Sequence, residues 1–341
     1  MPQESEGSVF TAGYIPLDIV SYRGRVWHAA GGTAGNVAAI LGFMGWTSAV
    51  VADVGDDLAG REIRKDLKKA KVSVDFVRLV PAGLTPRLVH EIDSVGHRFR
   101  YRCPRCHSRF PLSRPLRKDR AIELAALNLS ADVFFFDRLN AGTLVLAEHF
   151  AASGSLIMFE PSRPARRDLT ERALRVADVV KYSMDRDSGL DDYGPGHRQV
   201  WIVTGGPEGA KYRVGKGVWH RSPAFSYPVV DTGGAGDWTT AGLIHSLPLG
   251  QRMTVRNVGD SLRWAQALAA VSCGAPGARG LARQQSADSV IRAAKFLEQR
   301  GEQAAASNPA IAQRVRSPSV ASCDVCLLEA PLLDWEPAET A

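Results

Sequence analysis

Long apolar runs are missing from this 341-residue sequence. None approaches the roughly 20 residues a membrane-spanning helix requires, so no membrane association is expected. Met1 to Ser8 is polar and acidic and lacks the apolar stretch of a secretory signal. The expected compartment is therefore the cytoplasm. Cysteine is scarce, with five residues. In a reducing cytosol, paired cysteines serve more often as metal ligands or redox groups than as structural disulfides. No internal repeat is visible, which argues against a solenoid.

What is present is ordinary for a globular protein: 45% hydrophobic and 23% charged residues. The length suits one large domain with an insertion, or two modest domains. The net charge of +6 is unevenly placed. From residue 301 onward two arginines face six acids, so that tail carries −4 and residues 1–300 carry +10. A basic body suits a polyanion such as a nucleotide. It would equally suit nucleic acid, but no recognition motif for one accompanies it, so nucleic acid is not the expected partner.

Along the chain, Val9 to Ala12 reads as a first strand and Arg25 to His28 as an extended piece. Val37, Ile40, Leu41 and Met44 give one apolar helical face. Ser48 to Val54 is a buried strand, and Asp56-Asp57 can cap the helix after it. Phe76 to Val80 is a further strand. Arg87 to Tyr101 alternates on either side of Asp93-Ser94-Val95-Gly96, a hairpin signal. After residue 118 helices alternate with strands at Asp132–Phe136, Ser155–Phe159, Asp178–Lys181 and Val200–Thr204. That rhythm predicts an α/β fold, with a mostly parallel, doubly wound sheet under helices on both faces. Helices are expected at 238–246, 255–272 and 286–298, then a linker over 301–322.

The sharpest chemical signal is Asp231-Thr232-Gly233-Gly234-Ala235-Gly236-Asp237, leading into a helix. Small residues let main-chain N–H groups approach an anion, and the helix N-terminus adds positive potential. Asp237 at the mouth of such a cradle is placed to take a proton from a hydroxyl. Positioning, charge stabilisation and a base are what phosphoryl transfer needs. A bare Gly-rich turn capping a helix is the plainer alternative. Gly31-Gly32 with Asn36, ahead of the amphipathic helix, is a second feature that agrees with the first.

Together these segments resemble the PfkB (ribokinase-like) family of carbohydrate kinases, over about residues 9–281. The first follows the family pattern with Gly31, Gly32, Asn36 and Gly45; the second is its Asp-Thr-x-Gly-Ala-Gly-Asp signature. The resemblance implies a ribokinase-like kinase domain over 1–300 with a discontinuous small β lid, about 14–31 and 84–110, and a linker with an acidic, cysteine-containing tail over 301–341. It implies ATP with Mg2+, a sugar or nucleoside acceptor, and pairing of lids into a homodimer. Asp237 would be the catalytic base, with Gly234, Ala235 and Gly236 as the anion hole. Asp18, Gly32 and Asn36 would contact the acceptor. Thr204, Gly206, Gly209, Thr232 and Gly274 would lie on the nucleotide side. The sequence departs from the family where an Asn and a Glu usually organise magnesium; Ser183 and Asp185 would have to serve. Trp238 is bulkier than usual after the base and would reshape the pocket, and Glu160 either lines the nucleotide side or ends a strand.

Cys103 and Cys106, and Cys323 and Cys326, form two C-x-x-C pairs. Four thiolates can hold one structural Zn2+ if the tail returns to the lid; separate thiols are the alternative. Cys273, in an apolar helix, reads as a buried small hydrophobe. Arg98, Arg100 and Arg102 alternate with Phe99, Tyr101 and Cys103. Those arginines form either a solvated or tail-receiving face, or one that selects an acidic or phosphorylated acceptor. The competing function is a catalytically weak ligand-binding or regulatory protein on the same fold, with lid and tail stapled by zinc.

Overall fold

The computed structural model describes residues 7–93, 96–111, 114–186, 188–190, 192–301 and 325–327. The expected linker, Cys323 and most of the tail lie outside them. The first third holds β1 (Ser8–Ala12), β2 (Leu17–Tyr22), β3 (Arg25–Ala30), α1 (Gly32–Phe43), β4 (Thr47–Gly55), α2 (Leu58–Lys69), β5 (Val72–Ser73), β6 (Val77–Val80), β7 (Arg87–Asp93) and β8 (Gly96–Arg100). Next come α3 (Lys118–Ala125), β9 (Val133–Phe136), α4 (Ala141–Ala152), β10 (Leu156–Phe159), α5 (Arg167–Val176), β11 (Val179–Ser183) and β12 (Val200–Thr204). The chain continues through β13 (Ala210–Val214), β14 (His220–Ser222), α6 (Ala235–Ser246), α7 (Val255–Ser272), α8 (Gly280–Gln284) and α9 (Ala287–Arg300).

Ten strands form the main sheet in the order β14-β13-β12-β11-β10-β9-β1-β4-β5, with β6 also on β4. It is parallel except for β13 and β14, which extend one edge antiparallel. β9 explains why the sheet is covered twice. Val133 and Phe135 face one core, while Phe134 and Phe136 face the other. Four consecutive buried apolar residues can satisfy both faces only between two helical layers. α1, α6, α7 and α9 pack on one face, and α3, α4 and α5 on the other.

β1 pairs with β4 on one side and β9 on the other. The winding reverses there, and on open α/β sheets the crevice beyond the strand carboxyl ends at such a point receives ligands. The two segments expected to form the lid make a separate four-stranded sheet, ordered β3-β2-β7-β8. It arises from two chain segments because β2 pairs antiparallel with β3 but parallel with β7. α2 lies beneath it, N-capped by Asp57, whose side chain accepts from Gly60 N–H at 2.9 Å. None of the described helices is long and apolar enough to cross a membrane.

Candidate active site

The end of β1, the start of α1 and the start of α6 converge at the winding reversal. Gly234 is the N-cap of α6, with φ +88° and no side-chain cap. A Cβ at Gly234 would stand 2.5 Å from Ala278 Cα, so any side chain would force the cradle and the 277–280 loop apart. Gly233 N–H donates to Asp231 Oδ1 at 2.9 Å, and Ala235 N–H turns back to Thr232 O at 3.2 Å. Asp237 lies in the first turn of α6, half-buried, and its Oδ2 accepts from Asn36 Nδ2 at 2.7 Å. Burial and the charge of Glu160 push its carboxyl above the ordinary range; the Asn36 hydrogen bond, Lys181 and Arg186 oppose them.

α1 likewise starts without a side-chain cap. Gly32 has φ +73°, and a Cβ there would overlap the Tyr14 carbonyl at 1.8 Å. Asp18 enters from β2 and lies over Gly31. It is buried, and its Oδ1 has no hydrogen-bond partner. Burial pushes its carboxyl up to about 7, against the pull of His90 and Arg279. An unpartnered buried acceptor facing Asn36 and the 277–280 loop across a small cleft suits a ligand hydroxyl.

Asp18, Gly32, Asn36 and the 234–237 segment thus meet at one site. Thr204 and the turn holding Gly206 and Gly209 stand at the carboxyl end of β12, beside β11, with Gly205 N–H bonded to Gly209 O at 2.8 Å. Gly274 follows α7 and packs on Tyr227. Thr232 is exposed, with Oγ1 3.3 Å from His97 Nδ1. Trp238, expected to reshape the pocket, does not itself line the cleft. It is buried in the core against Phe43, and its indole N–H donates to Ala278 O at 2.8 Å, fixing the loop that faces the cradle.

Several residues escaped the sequence reading. Asp231, read in the sequence only as the first residue of the signature, is the hub beneath the cradle: it accepts from Gly277 N–H at 2.8 Å, lies 3.1 Å from His97 Nδ1 and 3.6 Å from His90 Nε2. Burial alone would raise its carboxyl, but His90 and the amides of Gly233 and Gly277 hold it low. His90 and His97 come from the lid, and His90 Nε2 is buried without a hydrogen bond. Asp137, at the end of β9, is buried and accepts from Tyr14 N–H at 3.1 Å. Burial pushes it up to about 7 despite Arg138. Lys181 in the buried run 179–181 donates to Glu160 at 2.9 Å, and Thr240 Oγ1 donates to the other Glu160 oxygen at 2.6 Å. A lysine inside an apolar strand was the available signal, because a buried ammonium requires an anion.

The lid arginines do not reach the cleft. Strand period places His97 and Phe99 on the face of His90, whose ring centroid is 4.8 Å from that of Phe99. Arg98 and Arg100 lie on the opposite face, paired with Asp93 and Glu91. Cys103, Cys106 and Cys326 gather at the foot of the lid. The contact with Cys326 lowers the Cys103 thiol to about 5, although burial opposes it. Cys273 is buried, donates to Ala269 O at 3.3 Å, and is pushed up to about 11 by burial.

Comparison with known proteins agrees with this geometry. The profile described as pfkB family carbohydrate kinase matches residues 10–186 and 187–285. A fructokinase of Klebsiella pneumoniae is 28% identical over 265 residues, covering 71% of this chain and 84% of its own. An ATP-dependent ribose-1-phosphate kinase of Halopiger xanaduensis is 28% identical over 312 residues, 86% of this chain and 98% of its own. The solved nucleoside kinase of Burkholderia thailandensis, in complex with inosine, shares the fold with a TM-score of 0.65 and 16% identity, over 85% of this chain and 97% of its own.

Proposed function

The chain belongs to the pfkB family of carbohydrate kinases, and from that premise we propose that it moves the γ-phosphoryl group of ATP to a hydroxyl of a sugar or nucleoside in the cytoplasm, with Asp237 as general base. The acceptor hydroxyl gives its proton to Asp237 while its oxygen bonds to the γ-phosphorus. The bond from that phosphorus to the bridging oxygen breaks, and ADP leaves. Amides of Gly234 and Gly236 at the uncapped start of α6 steady the charge in flight, beside that of Ala235, which is bonded to Thr232 O. Asp18 offers its unpartnered oxygen to an acceptor hydroxyl, and Gly32 and Asn36 close the acceptor side. Thr204, Gly206, Gly209, Thr232 and Gly274 lie on the nucleotide side.

Magnesium, when bound with ATP, would supply positive charge against the phosphates. The side chains this chain offers toward it are Ser183 and Asp185 at the end of β11, both hard oxygen donors, where Asp185 N–H donates to Ser183 Oγ at 3.3 Å. The raised position of the Asp237 carboxyl matches the task, because a base works best when its pKa approaches the operating pH.

The observation that carries this reading is a base-positioned carboxylate, held 2.7 Å from Asn36 in the uncapped first turn of α6. The test is ATP consumption with fructose, ribose 1-phosphate and inosine as first acceptors, for the native chain and Asp237→Asn. Turnover in the variant should fall by about 10²–10⁴ with nucleotide binding retained. Equal turnover in both chains would remove Asp237 from the mechanism. Acceptor binding without ATP consumption would favour a ligand-binding role.

A further inference from the structure

A second chemistry assembles at the foot of the lid, away from the cleft. Cys103 and Cys106 come from the segment after β8; Cys326 comes from the tail, 220 residues beyond Cys106. The three sulfurs lie within 4.8 Å of one another. Cys103 and Cys326 are buried and Cys106 is half-buried.

Both sides of the cluster are built. On the lid side Cys103 N–H donates to Ser108 O, His107 N–H to Cys103 O and Phe110 N–H to Tyr101 O, each at 3.0 Å. Arg102 and Arg109 bridge antiparallel, so 101–110 is a tight hairpin with both thiols at its tip. Arg105 N–H donates to Cys103 Sγ at 3.4 Å, a contact that favours thiolate, the ligand form of cysteine. On the tail side Arg87, buried in β7, donates from Nε to Cys326 O at 2.5 Å and from Nη2 to Leu327 O at 3.1 Å. His28 Nε2 meets Val325 O at 2.7 Å. Three successive carbonyls of the tail are therefore gripped by the lid, and the grip presents Cys326 to the knuckle.

The spacing selects among the uses of such a cluster. Cys106 Sγ and Cys326 Sγ are 3.7 Å apart. A disulfide needs about 2.05 Å and would join only two of the three. Two thiolates on a tetrahedral zinc, each at about 2.3 Å, stand about 3.8 Å apart. We propose that Cys103, Cys106 and Cys326 ligate a structural zinc ion that fastens the C-terminal tail to the base of the lid. In the sequence, Cys323 holds the matching C-x-x-C position and lies outside the described residues.

Because Arg87 shares β7 with His90, the ion would anchor the strand that brings His90 over the cradle. The test reads metal content and not turnover, so its outcome is separable from that of the kinase reading. Elemental analysis of the full chain, purified under reducing conditions, should find about one zinc per chain. Cys103→Ser and Cys326→Ser should each lower zinc affinity about tenfold or more, whereas Cys273→Ser should keep it. Should the serine chains fail to fold, cobalt in the native chain decides: thiolate-to-cobalt charge transfer and a tetrahedral visible spectrum are expected. Native chain that holds no zinc and gives no cobalt spectrum overturns the proposal. So does zinc retained by both serine variants.

Discussion

Buried carboxylates behave oppositely in two regions of this protein. At the base of the lid, Asp57 accepts from Gly60 N–H, Thr85 N–H, the Thr85 hydroxyl and Arg87. Asp66 accepts from Ala30 N–H, Arg279 and Arg283. Burial raises both, but these donors outweigh it and hold both carboxyls below the usual range. In the cleft, Asp18 and Asp137 are pushed up to about 7, and Asp237 is raised as well, because burial meets fewer compensating donors. The base is electrostatically complete, whereas the cleft is left for a ligand to complete.

The sign of the pH response separates the regions. The lid-base acids favour the folded state above the unfolded carboxylate range of about 4, and that support is lost as pH falls through their lowered values. The cleft acids bind protons more tightly when folded, so their contribution to stability falls as pH rises from about 4 to about 7.

The largest contrast should come from breaking the complete side. Arg87→Met strands Asp57 and three carbonyl contacts, and should cost about 3–5 kcal/mol in urea unfolding. In the cleft the same kind of charge removal should stabilise. Asp137→Asn keeps an acceptor for Tyr14 N–H and should add about 1–3 kcal/mol at pH 8, shrinking toward zero by about pH 4. Equal gains at both pH values would mean that Asp137 is not held up by burial. A subtler outcome concerns Asn36→Ala. Loss of its hydrogen bond should raise the Asp237 carboxyl further, moving the acid limb of the pH–rate profile to higher pH. An unmoved limb would assign that limb to another group. The smallest effect belongs to the lid surface: Arg100→Ala should change stability by about 0–1 kcal/mol and leave any preference for phosphorylated acceptors intact.

Much of the frame was legible because buried parallel strands are continuous apolar runs. β9, β10 and β12 were found within one residue of their ends, and α7 over its whole length. β2 was not singled out as a strand, although it lies within the expected lid range; its pairing with both β3 and β7 is a long-range fact. The β13–β14 edge hid for a different reason, since Lys211, Arg213 and Arg221 give it a polar face. Within the site, the glycines and Asp237 were readable because close backbone approach restricts residue type. His90, within β7, and Asp137, just past β9, were not, because any core or turn residue can fill such positions. Only the sheet order brings them to the cleft.

The grip of Arg279 gives the molecule a mechanical linkage. Its guanidinium holds both Ala30 O at the end of β3 and Asp66 on α2, one residue away from Ala278, whose carbonyl receives the indole of Trp238. The edge strand β3, the helix α2 beneath it and the helix that bears residue 237 are thus bolted in series. Tilting one of them strains a buried ion pair before it strains solvent-exposed contacts, so the alignment of the reacting groups is carried by parts of the chain that never touch them.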